Sequence, residues 1–138
     1  VADPAPTLAD GRQRIPALSA FEEAAGFTRA IRAGNRILVS GTVGVEADGS
    51  VAASASRQAE RCFELILQYI SQLGGQPGDV VRVRMFVTNI GDADAVTAAF
   101  TRAVGHARPT GTLVAVSALY NPAWKCEIEA EAVIGSGQ

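Results

Sequence analysis

Histidine and cysteine are scarce in this chain of 138 residues, which holds one His and two Cys. No His lies near a serine motif, so a Ser/His/acid triad has no support. His106 with the scattered Cys62 and Cys126 makes no metal-ligand set, and no metal or other cofactor is expected. Two such cysteines do not form a disulfide framework either, which points to a reducing, cytoplasmic location. Clustered positive charge is also lacking: the formal net charge is −2 and aromatics make up 6%. Nucleic-acid binding draws most of its affinity from cationic side chains on phosphates, so no nucleic-acid partner is expected. No apolar run approaches the ~18 to 20 residues of a membrane span. The first residues show no basic region followed by an apolar stretch, so no secretory leader and no membrane partner are expected.

What remains is an ordinary globular composition, 48% apolar and 19% charged. The length suits one domain with a sizeable core. Residues 1–20, rich in Pro, Ala and Asp without a clean period, are read as an N-terminal arm, mobile or packed on a neighbour. Residues 21–138 are read as the single domain.

Patterning sharpens from Phe27. Thr28–Arg32 and Arg36–Ser40 read as two strands joined at Ala33-Gly34-Asn35, a turn of residues that tolerate positive φ. From about Ala53 to Leu73 the period becomes helical, with Ala59, Cys62, Phe63, Ile66, Ile70 and Leu73 on one stripe, and Gly74-Gly75 ends it. Asp79–Thr88 reads as a strand with Val81, Val83, Met85 and Val87 on one face. A second helix is expected over about Ala93–Val104, capped by Asp92, then strands at about Thr112–Ser117 and Lys125–Val133. The order is β-β-α-β-α-β-β, an α+β domain with a mixed sheet and both helices on one face.

The last strand is the most informative segment. Glu127, Glu129 and Glu131 share one face, while Cys126, Ile128, Ala130 and Ala132 share the other and should meet the helices. Cys126 is therefore read as a core thiol. Glu129 and Glu131 read as an ion-paired face opposite Arg82 and Arg84. Glu127, at the start of the strand, can look into a cleft; desolvated there, its pKa would rise and it could activate a water. Val39-Ser40-Gly41-Thr42 offers hydroxyls and a backbone that a ligand can approach closely. Pro109-Thr110-Gly111-Thr112 reads first as a plain turn into a strand, with anion contact by its N–H groups as the other possibility.

Taken in order, these residues resemble the Rid/YjgF family, also known under the L-PSP endoribonuclease name. The resemblance rests on Gly26-Phe27, Ala33-Gly34-Asn35, Val39-Ser40-Gly41, Gln58, Gly74-Gly75, Val87-Thr88-Asn89-Ile90, Pro109 with Val114 and Val116, and Glu127-Ile128-Glu129-Ala130. It implies a chorismate mutase-like fold and a homotrimer with small-molecule clefts between subunits. The activity it implies is cofactor-free hydrolysis of 2-imino or enamine acids to keto acids and ammonia. In that mechanism an arginine of a Pro-Ala-Arg-Ser/Thr motif holds the substrate carboxylate and a glutamate positions the water.

By position, Glu127 matches that glutamate, and Ser40 and Gly41 match the cleft Ser-Gly. Phe27 stands where the family has a tyrosine, Leu113 where it has a cysteine, and Gly111 where it has the arginine, with Thr112 following. Losing a bidentate, charge-assisted contact weakens both binding and orientation. Arg29, two residues past Phe27 on the same face, and Arg108, just ahead of the altered turn, are the candidates to replace it. Gly111 also makes room for a ligand larger than a three- or four-carbon imine. The expected function is hydrolytic deamination of an imine, enamine or related carbonyl compound with Glu127 as acid/base. The alternatives are a trimeric metabolite-binding protein without turnover, or a tautomerase or condensing enzyme on the same fold.

Overall fold

A computed structural model describes residues 3–137. Its core is a six-stranded sheet in the order β1-β2-β3-β6-β4-β5. The strands are β1 (Gln13–Ile15), β2 (Ala30–Ala33), β3 (Arg36–Thr42), β4 (Val80–Val87), β5 (Thr110–Ala115) and β6 (Cys126–Val133). The helices are α1 (Ala20–Ala25), α2 (Ala55–Gln72) and α3 (Ala93–Val104). The β-β-α-β-α-β-β order holds from β2 onward, in an α+β mixed sheet of the chorismate mutase-like kind.

Two pieces were not expected. Gln13–Ile15, inside the segment read as an arm, pairs with β2 of its own chain as an antiparallel edge strand. Ala5 is buried and its N–H donates to the Gln72 carbonyl at 2.8 Å, so this part of the N-terminal segment packs on the domain itself. The short helix α1 follows, capped by Ser19, whose hydroxyl accepts from the Glu22 N–H at 3.1 Å.

The helical stripe of α2 is buried as its spacing requires: Ala59, Cys62, Phe63, Ile66 and Ile70 lie against Ile37, Val39, Ile128 and Ala130 of the sheet in one core. Cys126 is fully buried. The neighbouring Cys126 thiol, together with burial, pushes the Cys62 thiol above its ordinary range, and Cys62 Sγ donates to the Thr42 carbonyl at 3.3 Å, so both sit in the core as thiols. β4 and β5 run parallel through α3, and β6 runs antiparallel between β3 and β4. That places Arg82 opposite Glu131 and Arg84 opposite Glu129, with N–O distances of 3.9 and 3.8 Å, while Arg36 holds Glu131 at 2.6 Å. This charged face carries no helix. Leu38 (39% exposed) and Val114 (41% exposed) lie on it as well.

One irregularity shapes the molecule. Val39 pairs with Ala130 and Thr42 with Ile128, so Ser40 and Gly41 together oppose Glu129 alone. The extra residue is a β-bulge, and a glycine within a strand is a common sign of one. Val39 and Thr42 both point into the core, and Ser40-Gly41 is pushed out toward the cleft.

Candidate active site

The bulge, the start of β6 and the two ends of the sequence segments around them enclose a cleft of about 1050 Å³. Its floor is Glu127 and the Ser40–Thr42 backbone. Glu127 lies directly over Gly41: a Cβ at that position would overlap its carboxylate, so only glycine leaves the acid in place. The strand that carries Glu127 is fixed from below by Gln58 of α2. This buried amide donates to the Ala52 and Ala123 carbonyls at 2.7 and 3.1 Å and accepts from the Lys125 N–H at 2.8 Å. Gly44 sits so close to the Gln58 backbone that its Cβ would lie 2.8 Å from Gln58 Cα.

Glu127 is half-buried and makes no hydrogen bond or ion pair among the described residues. Burial raises its carboxyl above the ordinary value; the Arg29 charge opposes this and Glu129 adds to it. Such a carboxylate can accept a proton from a water at a pH where an exposed one cannot.

Arg29, expected as a candidate carboxylate holder, is 7% exposed and already committed. It pairs with Glu22 and donates to the Ser40 carbonyl (3.2 Å), the Gly41 carbonyl (2.6 Å) and Thr42 Oγ1 (3.1 Å). It thus clamps the bulge. Burial works against the Glu22 carboxylate, but the Arg29 hydrogen bond and charge outweigh it and hold that carboxyl below its ordinary value. Tyr69, also on the cleft, is raised by burial against the opposing Arg29 charge. The Ser40 hydroxyl donates to the Thr28 carbonyl at 2.7 Å, a bond that ties β3 to the chain entering β2.

A single chain therefore brings together Phe27, Arg29, Ser40, Gly41 and Glu127. It does not bring Arg108, Gly111 or Thr112 to them. Arg108 is exposed, in the left-handed conformation after α3. Gly111 faces the helix layer, where a Cβ would touch Phe100 at 3.8 Å and Met85 at 4.0 Å. Thr112 alternates to the opposite face. Pro109-Thr110 leads straight into β5, the plain turn.

Sequence reasoning missed Glu22, Tyr69, Phe21, Tyr120, Trp124 and Arg61, all of which line the cleft. The Phe21 and Tyr120 rings stack at 5.2 Å, and Phe27 meets Phe21 edge-on at 6.1 Å. One signal was available for Glu22: Ser19 three residues before it is a capping-box pattern, although Glu22 Oε1 accepts from the Leu18 N–H at 3.2 Å, one residue before the cap, so the box is only half formed. Among the described residues no cluster of three or more His, Cys, Asp or Glu could hold a metal ion, and no helix is long and apolar enough to cross a membrane.

Known proteins share this architecture. The family model described as Endoribonuclease L-PSP matches residues 17–134. A crystal structure from Mycobacterium tuberculosis, of a member of the YjgF/YER057c/UK114 family, is 33% identical. It covers 89% of this chain and 99% of its own, with a TM-score of 0.81. RidA from the Antarctic bacterium Psychrobacter is 25% identical over 88% of this chain and 94% of its own, with a TM-score of 0.75. An uncharacterised protein of Streptomyces coelicolor is 29% identical over 90% of this chain and 93% of its own. The chain belongs to the Rid/YjgF family, the L-PSP group of chorismate mutase-like folds.

Proposed function

We propose that this protein hydrolyses an imine, an enamine or a related carbonyl compound, with Glu127 positioning and deprotonating the attacking water. The observation that carries the reading is Glu127 itself: unpaired, half-buried, raised in pKa and seated over Gly41 at the cleft floor. Family membership supports a small-molecule, deaminase-like role. No cofactor enters the mechanism: water, a carboxylate and an electrophilic carbon suffice.

The reading includes a homotrimer assembled through the helix-free sheet face, where Leu38 and Val114 are exposed. In that assembly Arg108 and Thr112 of a neighbouring chain complete the cleft, and Gly111, whose Cβ direction faces its own helix layer, contributes backbone alone. Nucleic acid is left out of the reading, because the net charge is −2 and the cleft holds more carboxylates than guanidiniums. The protein is read as cytoplasmic and free of membrane partners.

The test is release of carbonyl product from imines made in situ by an amino acid oxidase or an amine oxidase, read by semicarbazide trapping. Glu127→Gln should lose turnover while keeping the wild-type assembly. A Glu127→Gln protein that retains the wild-type rate would remove Glu127 from the chemistry. A binding protein without turnover is the second reading, because Gly111 stands where the resemblance places the orienting arginine. In that case Glu127→Gln would change affinity and no substrate would turn over.

A further inference from the structure

The lining that one chain gives the cleft is short of free positive charge. Its charged residues are Glu22, Glu46 and Glu127 against Arg29 and Arg61, one carboxylate in excess. Arg29 is spent on Glu22 and the bulge. Arg61 donates to the Val45 carbonyl at 2.9 Å and to Glu64 at 3.2 Å, with Glu46 at 3.8 Å. Either guanidinium would have to abandon a part-buried acceptor to hold a ligand carboxylate, leaving that acceptor unsatisfied. A carboxylate bound here would also lie beside the unpaired Glu127, and like charges repel strongly where water is thin.

The same cleft has an aromatic, open part of its lining. Phe27 is 56% exposed and Tyr120 is 80% exposed, and with Phe21 they present ring faces and edges to the cleft. Such a surface takes planar bodies by stacking and draws cations by its ring quadrupoles. A cleft that combines a carboxylate floor with exposed aromatic rings suits a planar cation.

We infer that the preferred ligand is a protonated imine bearing an aromatic or planar conjugated body and no carboxylate. The inference rests on the reading of Glu127 as the water-activating group and names the substrate class of that site. Protonation makes the imine carbon electrophilic and supplies the charge that Glu127 attracts. As the water oxygen bonds to that carbon, Glu127 takes a water proton and the C=N π pair moves onto nitrogen, giving a neutral carbinolamine. Glu127 then returns the proton to nitrogen. The C–N bond breaks with its electron pair on nitrogen, the hydroxyl proton is released, and an aldehyde or ketone leaves with an amine or ammonia. One water is consumed and no oxidant or reductant is needed.

Trp124 is the single tryptophan and lines the cleft, so its fluorescence reports occupancy. The wild-type protein is titrated with 2-phenylethylamine, phenylacetate, benzyl alcohol and 2-oxobutanoate. The amine should bind at least about tenfold more tightly than phenylacetate, and 2-oxobutanoate more weakly still. In Glu127→Gln the gap between amine and phenylacetate should close while benzyl alcohol binds as before. Equal or tighter binding of either carboxylate overturns the inference, and its loss in Arg108→Ala would assign the carboxylate to that arginine. Failure of the amine to bind also overturns it. Turnover separates the two readings. Hydrolysis of 2-iminobutanoate but not of the imine formed from 2-phenylethylamine by an amine oxidase keeps the hydrolytic function and defeats this ligand class. Tight amine binding with neither imine hydrolysed keeps the ligand class and defeats the hydrolytic function.

Discussion

The Glu127 carboxylate occupies the space that a side chain at Gly41 would need. Because the clashing atoms are the far end of a flexible side chain, Gly41→Ala should displace the acid and leave the sheet intact. We expect a fall in kcat of about a hundredfold or more from misplacement of the proposed catalytic group. The melting temperature should move by no more than about 2 °C. Steady-state kinetics and a thermal melt on the same sample check both halves.

Glu127 should set the acid limb of the pH–rate profile above the ordinary carboxylate value of 4.5, because burial raises it. Glu22→Gln removes the negative partner of Arg29 while a glutamine oxygen can still accept from the Leu18 N–H. The unneutralised guanidinium then favours ionised Glu127, so the limb should shift to lower pH. Linkage carries the matching sign: a carboxyl raised on folding stabilises the protein fully below its unfolded pKa, and that contribution is lost as pH rises through the folded value. Glu127→Gln should flatten this part of the stability–pH curve, measured by denaturant titration at several pH values.

Arg29→Met should be costly. It leaves the Glu22 carboxylate, 15% exposed, without its cation and strips three acceptors of the bulge of a donor. Breaking a buried pair in this way costs about 3 kcal/mol or more. Arg84→Met, whose partner Glu129 lies 3.8 Å away with both side chains over a third exposed, should cost less than about 1 kcal/mol within one chain. Urea midpoints with unchanged slopes decide the contrast.

Leu38→Asp places a charge on the helix-free sheet face, where the proposed trimer would bury it. Sedimentation velocity should show the variant as a monomer with an unaltered circular dichroism spectrum. A wild-type protein that sediments as a monomer removes the intersubunit cleft from the reading.

How much could be read in advance follows from the range of each signal. Period-two alternation from Cys126 to Val133 placed Ile128 inside and Glu127 outside, and the opposition of Arg82 and Arg84 to Glu131 and Glu129 came from the same parity. The α2 stripe was equally legible, because every third or fourth residue repeats one environment. Tyr69 was not, since it sits beside that stripe and reads as core. Glu22 and Arg29 were missed as a pair because one lies on a helix too short to show a period and the other precedes a strand. Tyr120 and Trp124 sit in the irregular segment between β5 and β6, where no periodicity operates. β1 has three residues, too few for alternation to show.

The extra residue in β3 has a bearing on how this protein can change over time. Without Gly41, Val39, Ser40 and Thr42 would alternate in regular register against Ala130, Glu129 and Ile128, a tidier ladder than the one present. The strand pairing would gain regularity from such a deletion, while Arg29 would lose its acceptor at the Gly41 carbonyl. The seat beneath Glu127 would vanish. The proposed chemistry therefore depends on a count of residues, and the Arg29 clamp on the Gly41 carbonyl is a contact of the fold that resists its loss, so a lineage freed from selection for turnover would shed the proposed activity in one three-nucleotide step at the cost of that contact.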